Sequence, residues 1–232
     1  MRQIVPGVFA FSGLYVGRVY LLTEGEGLTI IDTGMPGAGK KVLAQLAAAG
    51  YRPGDVKRIL ITHAHFDHIG GLADLARATG AQVIASAVEK PYISDQKPVE
   101  RARSADLPPL ARLMTMGSAP VNTPVSVART VQDGEVLAEV FGGLQVIATP
   151  GHSPGHVSFW QPERRILFTG DVMMNIPASL RLPFAAFTPD MNEDKRSVKR
   201  LAALDVETAC FGHGQPLLQG AAAKLRAFAG RL

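Results

Sequence analysis

Three of the six histidines in this 232-residue chain fall within six positions, in the stretch Thr62-His63-Ala64-His65-Phe66-Asp67-His68-Ile69-Gly70-Gly71. The apolar run Arg58-Ile59-Leu60-Ile61-Thr62 ahead of it reads as a buried strand. Gly70-Gly71 opens the helical pattern Leu72-Ala73-Asp74-Leu75-Ala76-Arg77 behind it. The cluster therefore occupies a strand-to-helix turn, where open α/β sheets place their ligands. Side chains two apart in extended chain point the same way, so His63 and His65 reach one ion together. Asp67 and His68 are adjacent and diverge, which suits them to a second ion. Imidazole and carboxylate donors suit zinc, manganese or iron, and no thiolate stands nearby to select a softer metal.

The flanking sequence reads as strands and helices in alternation. Ile4 to Leu22 gives short antiparallel strands broken by Gly7, Gly13 and Gly17, and Leu28 to Ile31 is a strand ending at Asp32-Thr33-Gly34. A carboxylate at the end of a buried strand is costly without partners. Asp32 is thus either a turn cap or a group that orients a metal-binding histidine. An amphipathic helix is expected over Ala38 to Ala49, a second over Leu72 to Thr79, and a strand over Ala81 to Ser86. From Pro91 to Pro124 six prolines interrupt mixed-charge sequence, which reads as an insertion covering the site. Met114 and Met116 there are either pocket lining or anchors that fix the insertion to the body.

The second half restarts the pattern. Val125 to Val131 and Glu135 to Val140 flank the turn Asp133-Gly134, and Leu144 to Thr149 runs into Pro150-Gly151-His152-Ser153-Pro154-Gly155-His156. Val157 to Trp160 and Arg165 to Thr169 read as a hairpin pair ending at Gly170-Asp171. A helix over Asn192 to Leu204, a strand into Gly212-His213-Gly214 and a helix over Ala221 to Ala229 complete the chain. Strands followed by helix occur twice. The expected fold class is therefore α/β, a four-layer αββα sandwich with a two-fold repeat and the metal site at one sheet edge. Residues 1–232 form one domain in this reading, with the proline-rich insertion at about 91–124. Each histidine follows a predicted strand, as ligands on loops at one edge do.

Composition removes several function classes. Hydrophobic residues at 47% against 19% charged describe a globular protein with a sizeable core, not a disordered chain. The formal charge of +4 comes from scattered Lys and Arg, so no nucleic-acid partner is expected. A single cysteine, Cys210, excludes an internal disulfide, and its apolar neighbours make it a core thiol. No stretch is long and apolar enough to span a membrane, and Met1 to Gly7 has no leader pattern, so the expectation is a cytoplasmic protein without membrane partners.

His63-x-His65-x-Asp67-His68, then His152 in Thr-Pro-Gly-His, Asp171 in Thr-Gly-Asp and His213 in Gly-His-Gly together resemble the metallo-β-lactamase superfamily. The match runs in order from Asp32 to His213. The resemblance implies two divalent ions, with Zn2+ expected and Mn2+ or Fe2+ as alternatives. It implies that His63, His65 and His152 hold one ion, that Asp67, His68 and His213 hold the other, and that Asp171 bridges them. A hydroxide shared by the ions would attack a carbonyl, with Asp67 carrying a proton to the leaving atom. The catalytic residues in this reading are Asp67 and Asp171. Asp32 and Thr62 orient ligands, and His156 either orients the site or contacts substrate. Phe66, Met173, Met174, Ile176, Phe184 and Phe187, together with Met114 and Met116, are the expected substrate pocket.

Departures from relatives narrow the activity. β-Lactamases of this superfamily have cysteine or serine near the position of Asp171. Glyoxalase II enzymes carry a helical glutathione-binding domain, whereas residues 214–232 alone follow His213 here. Lactonases often place tyrosine three positions after the bridging aspartate, where this chain has Met174. The di-iron redox relatives usually replace a histidine of the first cluster by carboxylate, and His65 is intact. The expected activity is hydrolysis of an ester-like bond in a small molecule: thioester, lactone or activated ester. A phosphodiesterase or nuclease, or a β-lactamase, is the alternative of the same fold, and a metal-bound redox protein stands behind both.

Overall fold

The computed structural model describes residues 1–14, 16–95, 97–103, 105, 107, 109, 112, 122–177 and 179–232. Among these, seven strands pair in sequence order: β1 (Arg2–Val5), β2 (Val8–Ala10), β3 (Tyr20–Leu22), β4 (Leu28–Ile31), β5 (Val56–Leu60), β6 (Gln82–Ser86) and β7 (Arg129–Val131). β1 to β4 are antiparallel, and β4 to β7 are parallel. A second sheet runs β14-β11-β10-β9-β8, from β8 (Val136–Leu137), β9 (Leu144–Ala148), β10 (Val157–Gln161), β11 (Ile166–Phe168) and β14 (Thr208–Cys210). A small hairpin, β12 (Met174–Asn175) with β13 (Leu180–Arg181), lies between β11 and β14 in the chain.

Alternation along the strands separates three apolar cores and hence four layers. Ile30, Ile59 and Val83 face outward onto Val42, Leu46, Leu72 and Leu75 of the helices Ala38–Ala48 and Leu72–Thr79. Their neighbours Ile31, Leu60 and Ile84 face inward onto Val146, Phe159 and Phe168 of the second sheet. Trp160, Leu167 and Ala209 turn away to Val198, Leu201, Leu225 and Phe228 of the helices Met191–Ala202 and Ala221–Ala229. Phe159 and Phe168 are buried between the sheets, where each side chain contributes roughly 1.5–3 kcal/mol of transfer free energy. The αββα expectation holds at the level of layers, although strand directions differ between the two sheets.

Local chemistry explains the main helix behind the second sheet. Asp190 caps Met191–Ala202, its Oδ1 accepting from the Glu193 N–H at 2.8 Å, with Glu193 and Asp194 in the first turn and Lys199 and Arg200 in the last. Two expected strands are shorter. The strand over Val125 to Val131 is confined to Arg129–Val131, which pairs with Ile84–Ser86. The strand over Glu135 to Val140 is confined to Val136–Leu137. At the start of the segment expected to be an insertion, Lys90–Ser94 is a short helix with proline in its first turn, where the missing N–H costs nothing. Among the described residues no helix is long and apolar enough to cross a membrane.

Candidate metal centre

The polar residues singled out above follow the C-terminal ends of strands along one edge of the two sheets. Asp32 follows β4, the His63–His68 turn follows β5, His152 follows β9, Asp171 follows β11 and His213 follows β14. His65 is still extended (φ −67°, ψ 148°), and the helix Phe66–Ile69 begins immediately after it. His63 and His65 therefore project from extended chain, while Asp67 and His68 project from a helical turn.

Asp32 organises the first cluster from below. It has a left-handed backbone (φ 59°), a conformation aspartate tolerates better than most residues. Its carboxylate accepts the Thr62 N–H at 2.9 Å and the Thr62 hydroxyl at 2.8 Å, and lies 2.8 Å from His68 Nδ1. Because the Thr62 hydroxyl donates to Asp32, it faces His63 Nδ1 at 3.0 Å as an acceptor. That leaves the His63 Nε2 lone pair aimed at the edge. Thr188 does the same for His152: its hydroxyl donates to the Phe184 carbonyl at 3.0 Å and accepts from His152 Nδ1 at 3.1 Å.

Two lone pairs thus converge on His65 Nδ1, from His63 Nε2 at 3.1 Å and His152 Nε2 at 2.9 Å. One proton on His65 cannot satisfy both, whereas a cation among the three nitrogens would. His68 Nε2 and Asp171 Oδ1, both fully buried, lie 3.4 Å apart, and neither makes a hydrogen bond among the described residues. His213 Nε2 lies 3.1 Å from Asp67 Oδ2 and 3.0 Å from Asp171 Oδ2. Donor atoms of His63, His65 and His152 lie within 4.8 Å of one another, as do those of His63, His68 and Asp171, and those of Asp67, His68 and His213. The donor set fits divalent metal: converging neutral nitrogens, carboxylates, and buried polar atoms left without hydrogen bonds.

Electrostatics differs between the two sides. Burial, reinforced by neighbouring imidazoles, holds His63 and His152 far below the ordinary histidine pKa, and burial takes His65 to about 4. These three are neutral at pH 7, the form that binds metal. Burial also disfavours charge on His68, but Asp171, Asp32 and Asp67 outweigh it and raise its pKa well above the ordinary value. His213 is raised to about 9 in the same way, burial opposing and Asp171 and Asp67 prevailing. This side holds protons where a metal cation would stand.

His156 is neither a donor to the cluster nor part of the pocket lining. It is fully buried; its Nε2 accepts the Asp171 N–H at 3.0 Å, and its Nδ1 lies 2.8 Å from the Thr149 hydroxyl. Burial depresses its pKa to about 3, so it stays neutral and orients the Asp171 backbone. Gly212 keeps the same carboxylate in place by having no side chain: a Cβ there would sit 1.9 Å from Asp171 Oδ1 and 2.9 Å from His68 Cε1. Gly212→Ala is expected to leave the fold intact but to displace Asp171. Elemental analysis should then show reduced metal content, on the scale of the about 10–100-fold loss of affinity that a perturbation beside a metal ligand causes.

A cavity of about 290 Å3 opens over the cluster, lined by Val16, Phe66, Val99, Arg101, Asn122, Met174, Phe184 and Phe187 above His65, Asp67, His152, Asp171 and His213. Phe66, Met174, Phe184 and Phe187 of the expected pocket line this cavity. Met173 does not: it is fully buried in the core beneath the second sheet, because adjacent residues at a strand point to opposite sides. Ile176 lies beside Gly214 and is not in the lining. Met114 and Met116 lie outside the described residues. Sequence reasoning missed Val16, Val99 and Asn122 as lining and Thr188 as the partner of His152. Val99 and Asn122 belong to the 91–124 segment expected over the site, but no local motif singles them out within it or marks Val16 and Thr188.

The sequence profile described as the metallo-beta-lactamase superfamily matches residues 12–213. The probable metallo-hydrolase YflN of Bacillus subtilis (strain 168) is 28% identical over 233 residues, covering 93% of this chain and 86% of that protein. A hydroxyacylglutathione hydrolase of Methylococcus capsulatus is 32% identical over 195 residues; the match covers 83% of this chain but 60% of that protein's length. In fold alone, a subclass B3 metallo-beta-lactamase of Bradyrhizobium japonicum superposes with a TM-score of 0.73 at 24% identity, covering 100% of this chain and 89% of that one.

Proposed function

This chain belongs to the metallo-beta-lactamase superfamily, and on that footing we propose that its histidine-rich edge is a dinuclear centre that hydrolyses an ester-like bond: thioester, lactone or activated ester. The observation that carries the reading is the convergence of two donor sets, with Asp171 between them, on the floor of an apolar cavity. His63, His65 and His152 would hold one ion, Asp67, His68 and His213 the other, and Asp171 both. Imidazole and carboxylate donors favour Zn2+, with Mn2+ or Fe2+ as the alternatives that metal analysis distinguishes. When bound, such a pair of ions supplies a water of lowered pKa and a Lewis acid for a carbonyl oxygen.

The chain's own groups do the rest. Asp32 and Thr62 hold His63 and His68 in one tautomer and orientation, and Thr188 does so for His152. Asp67 reaches the cavity floor, and its pKa stays below the ordinary value: burial raises it, but the charges of His68 and His213 prevail. As a carboxylate there it accepts a proton and passes it to the leaving atom. Val16, Phe66, Val99, Met174, Phe184 and Phe187 exclude water around the scissile bond and receive an apolar acyl or aromatic group. Apart from the cluster itself, the described lining offers one cation, Arg101, which is a poor basic track for a phosphodiester backbone.

A substrate panel tests this. Metal-loaded protein is expected to cleave thioesters, lactones or activated esters faster than β-lactams or phosphodiesters, and a phosphodiester at the head of the panel overturns the reading. Met174→Ala and Phe184→Ala should each re-order the acyl substrates, since one apolar contact is worth ~1–3 kcal/mol of discrimination. Metal content should not change. An unaltered ranking in both variants would remove these side chains from substrate selection.

A further inference from the structure

Glu89 follows β6, carries no chemistry in the mechanism above, and is 1% exposed. Its carboxylate nonetheless touches both loops that supply the three-histidine set. Oε2 accepts the Ala64 N–H at 2.8 Å, between His63 and His65. Oε1 accepts the Ser153 hydroxyl at 2.6 Å and the Gly155 N–H at 2.9 Å, one and three residues after His152. The two loops lie 87 residues apart in sequence, and their imidazoles meet at 2.9 Å.

A second contact seats the same junction. The Ser86 hydroxyl donates to the Gly155 carbonyl at 2.6 Å, and a Cβ on Gly155 would sit 2.6 Å from Val88 Cβ and 2.9 Å from Glu89 N. The turn after His152 is therefore pressed against the segment carrying Glu89, with no room for slack. Burying a carboxylate is costly, and here three donors from two loops offset part of that cost, burial still holding its pKa above the ordinary carboxylate value.

We propose that Glu89 is a positioning residue for the three-histidine ion: one carboxylate that clamps the His63–His65 loop to the His152 loop and sets the separation of their nitrogens. The proposal rests on the dinuclear reading above. It assigns Glu89 to one ion and not to the other, because among the described residues it makes hydrogen bonds to the loops of His63, His65 and His152 and none to Asp67, His68 or His213.

The test uses the full chain and Zn2+ alone, titrated against a competing chelator, with wild type, Glu89→Gln and Ser153→Ala compared. Glutamine keeps the shape, but its amide can satisfy only one loop: with its oxygen toward Ser153 and Gly155, its NH2 opposes the Ala64 N–H. Glu89→Gln is expected to weaken one of the two ions by about 10–100-fold and leave the other at wild-type affinity. The thermal midpoint of the metal-free protein should stay within a few degrees of wild type. Equal weakening of both ions, or wild-type affinity at both, overturns the proposal. Wild-type protein that binds fewer than two ions overturns the dinuclear reading instead. Should Glu89→Gln fail to fold, Ser153→Ala decides. It removes one of three donors and is expected to weaken the same single ion severalfold, and unchanged affinity there overturns the proposal.

Discussion

Asp171→Ala is expected to strip both ions and to lower hydrolysis on the order of 10³-fold or more, the scale seen when groups that act as a unit lose a member. The side chain is 3% exposed, with Oδ1 3.4 Å from His68 Nε2 and Oδ2 3.0 Å from His213 and 3.6 Å from His152. No other residue presents oxygens to donors of both sets at such short range among the described residues. His156→Ala provides the control. It leaves the Asp171 carboxylate in the chain but orphans the backbone N–H that His156 accepts, a loss of about 1–3 kcal/mol. Its effect on rate and metal content should be the smaller of the two. If His156→Ala is the more damaging change on both measures, the role given to Asp171 is wrong.

Chelation should abolish hydrolysis, and returning Zn2+ should restore it. Purified protein is expected to carry close to two first-row ions. His63→Ala and His213→Ala should each lose one, because the two histidines sit in different donor groups. Elemental analysis beside a single-substrate assay reads both quantities at once. Metal-free protein with full activity would end the hydrolase mechanism proposed here.

Much of this centre is visible in the sequence because its donors obey short-range rules. His63-x-His65 shares a side through the two-residue period of extended chain, and every donor follows a strand whose apolar run announces it. The layers are legible for the same reason: Ile30 and Ile31, or Phe159 and Trp160, go to different cores by alternation. What escapes is decided at long range. Met173 and Met174 are equivalent in sequence, and only the pairing of Met174 with Arg181 sets which one faces the cavity. Thr188 reaches back 36 positions to His152 and Glu89 reaches forward to Ser153, and neither belongs to a motif. The helix Lys90–Ser94 was obscured by Pro91, which marks a break inside a helix but a start at its first turn.

The proposed donors to each ion come from both sheets: His63, His65, Asp67 and His68 from the β5 side, and His152, Asp171 and His213 from the β9, β11 and β14 ends. Each ion would therefore be a crosslink across the seam that Phe159 and Phe168 fill. The loop between His65 and His152 spans 87 positions, and the unfolded chain loses more entropy on closing a long loop than a short one. Folding stability then becomes a function of free metal. Once the ion is in excess over its dissociation constant, each further tenfold adds about 1.4 kcal/mol for each ion bound only by the folded chain. In this protein the reagent for catalysis would also be the rivet between its halves.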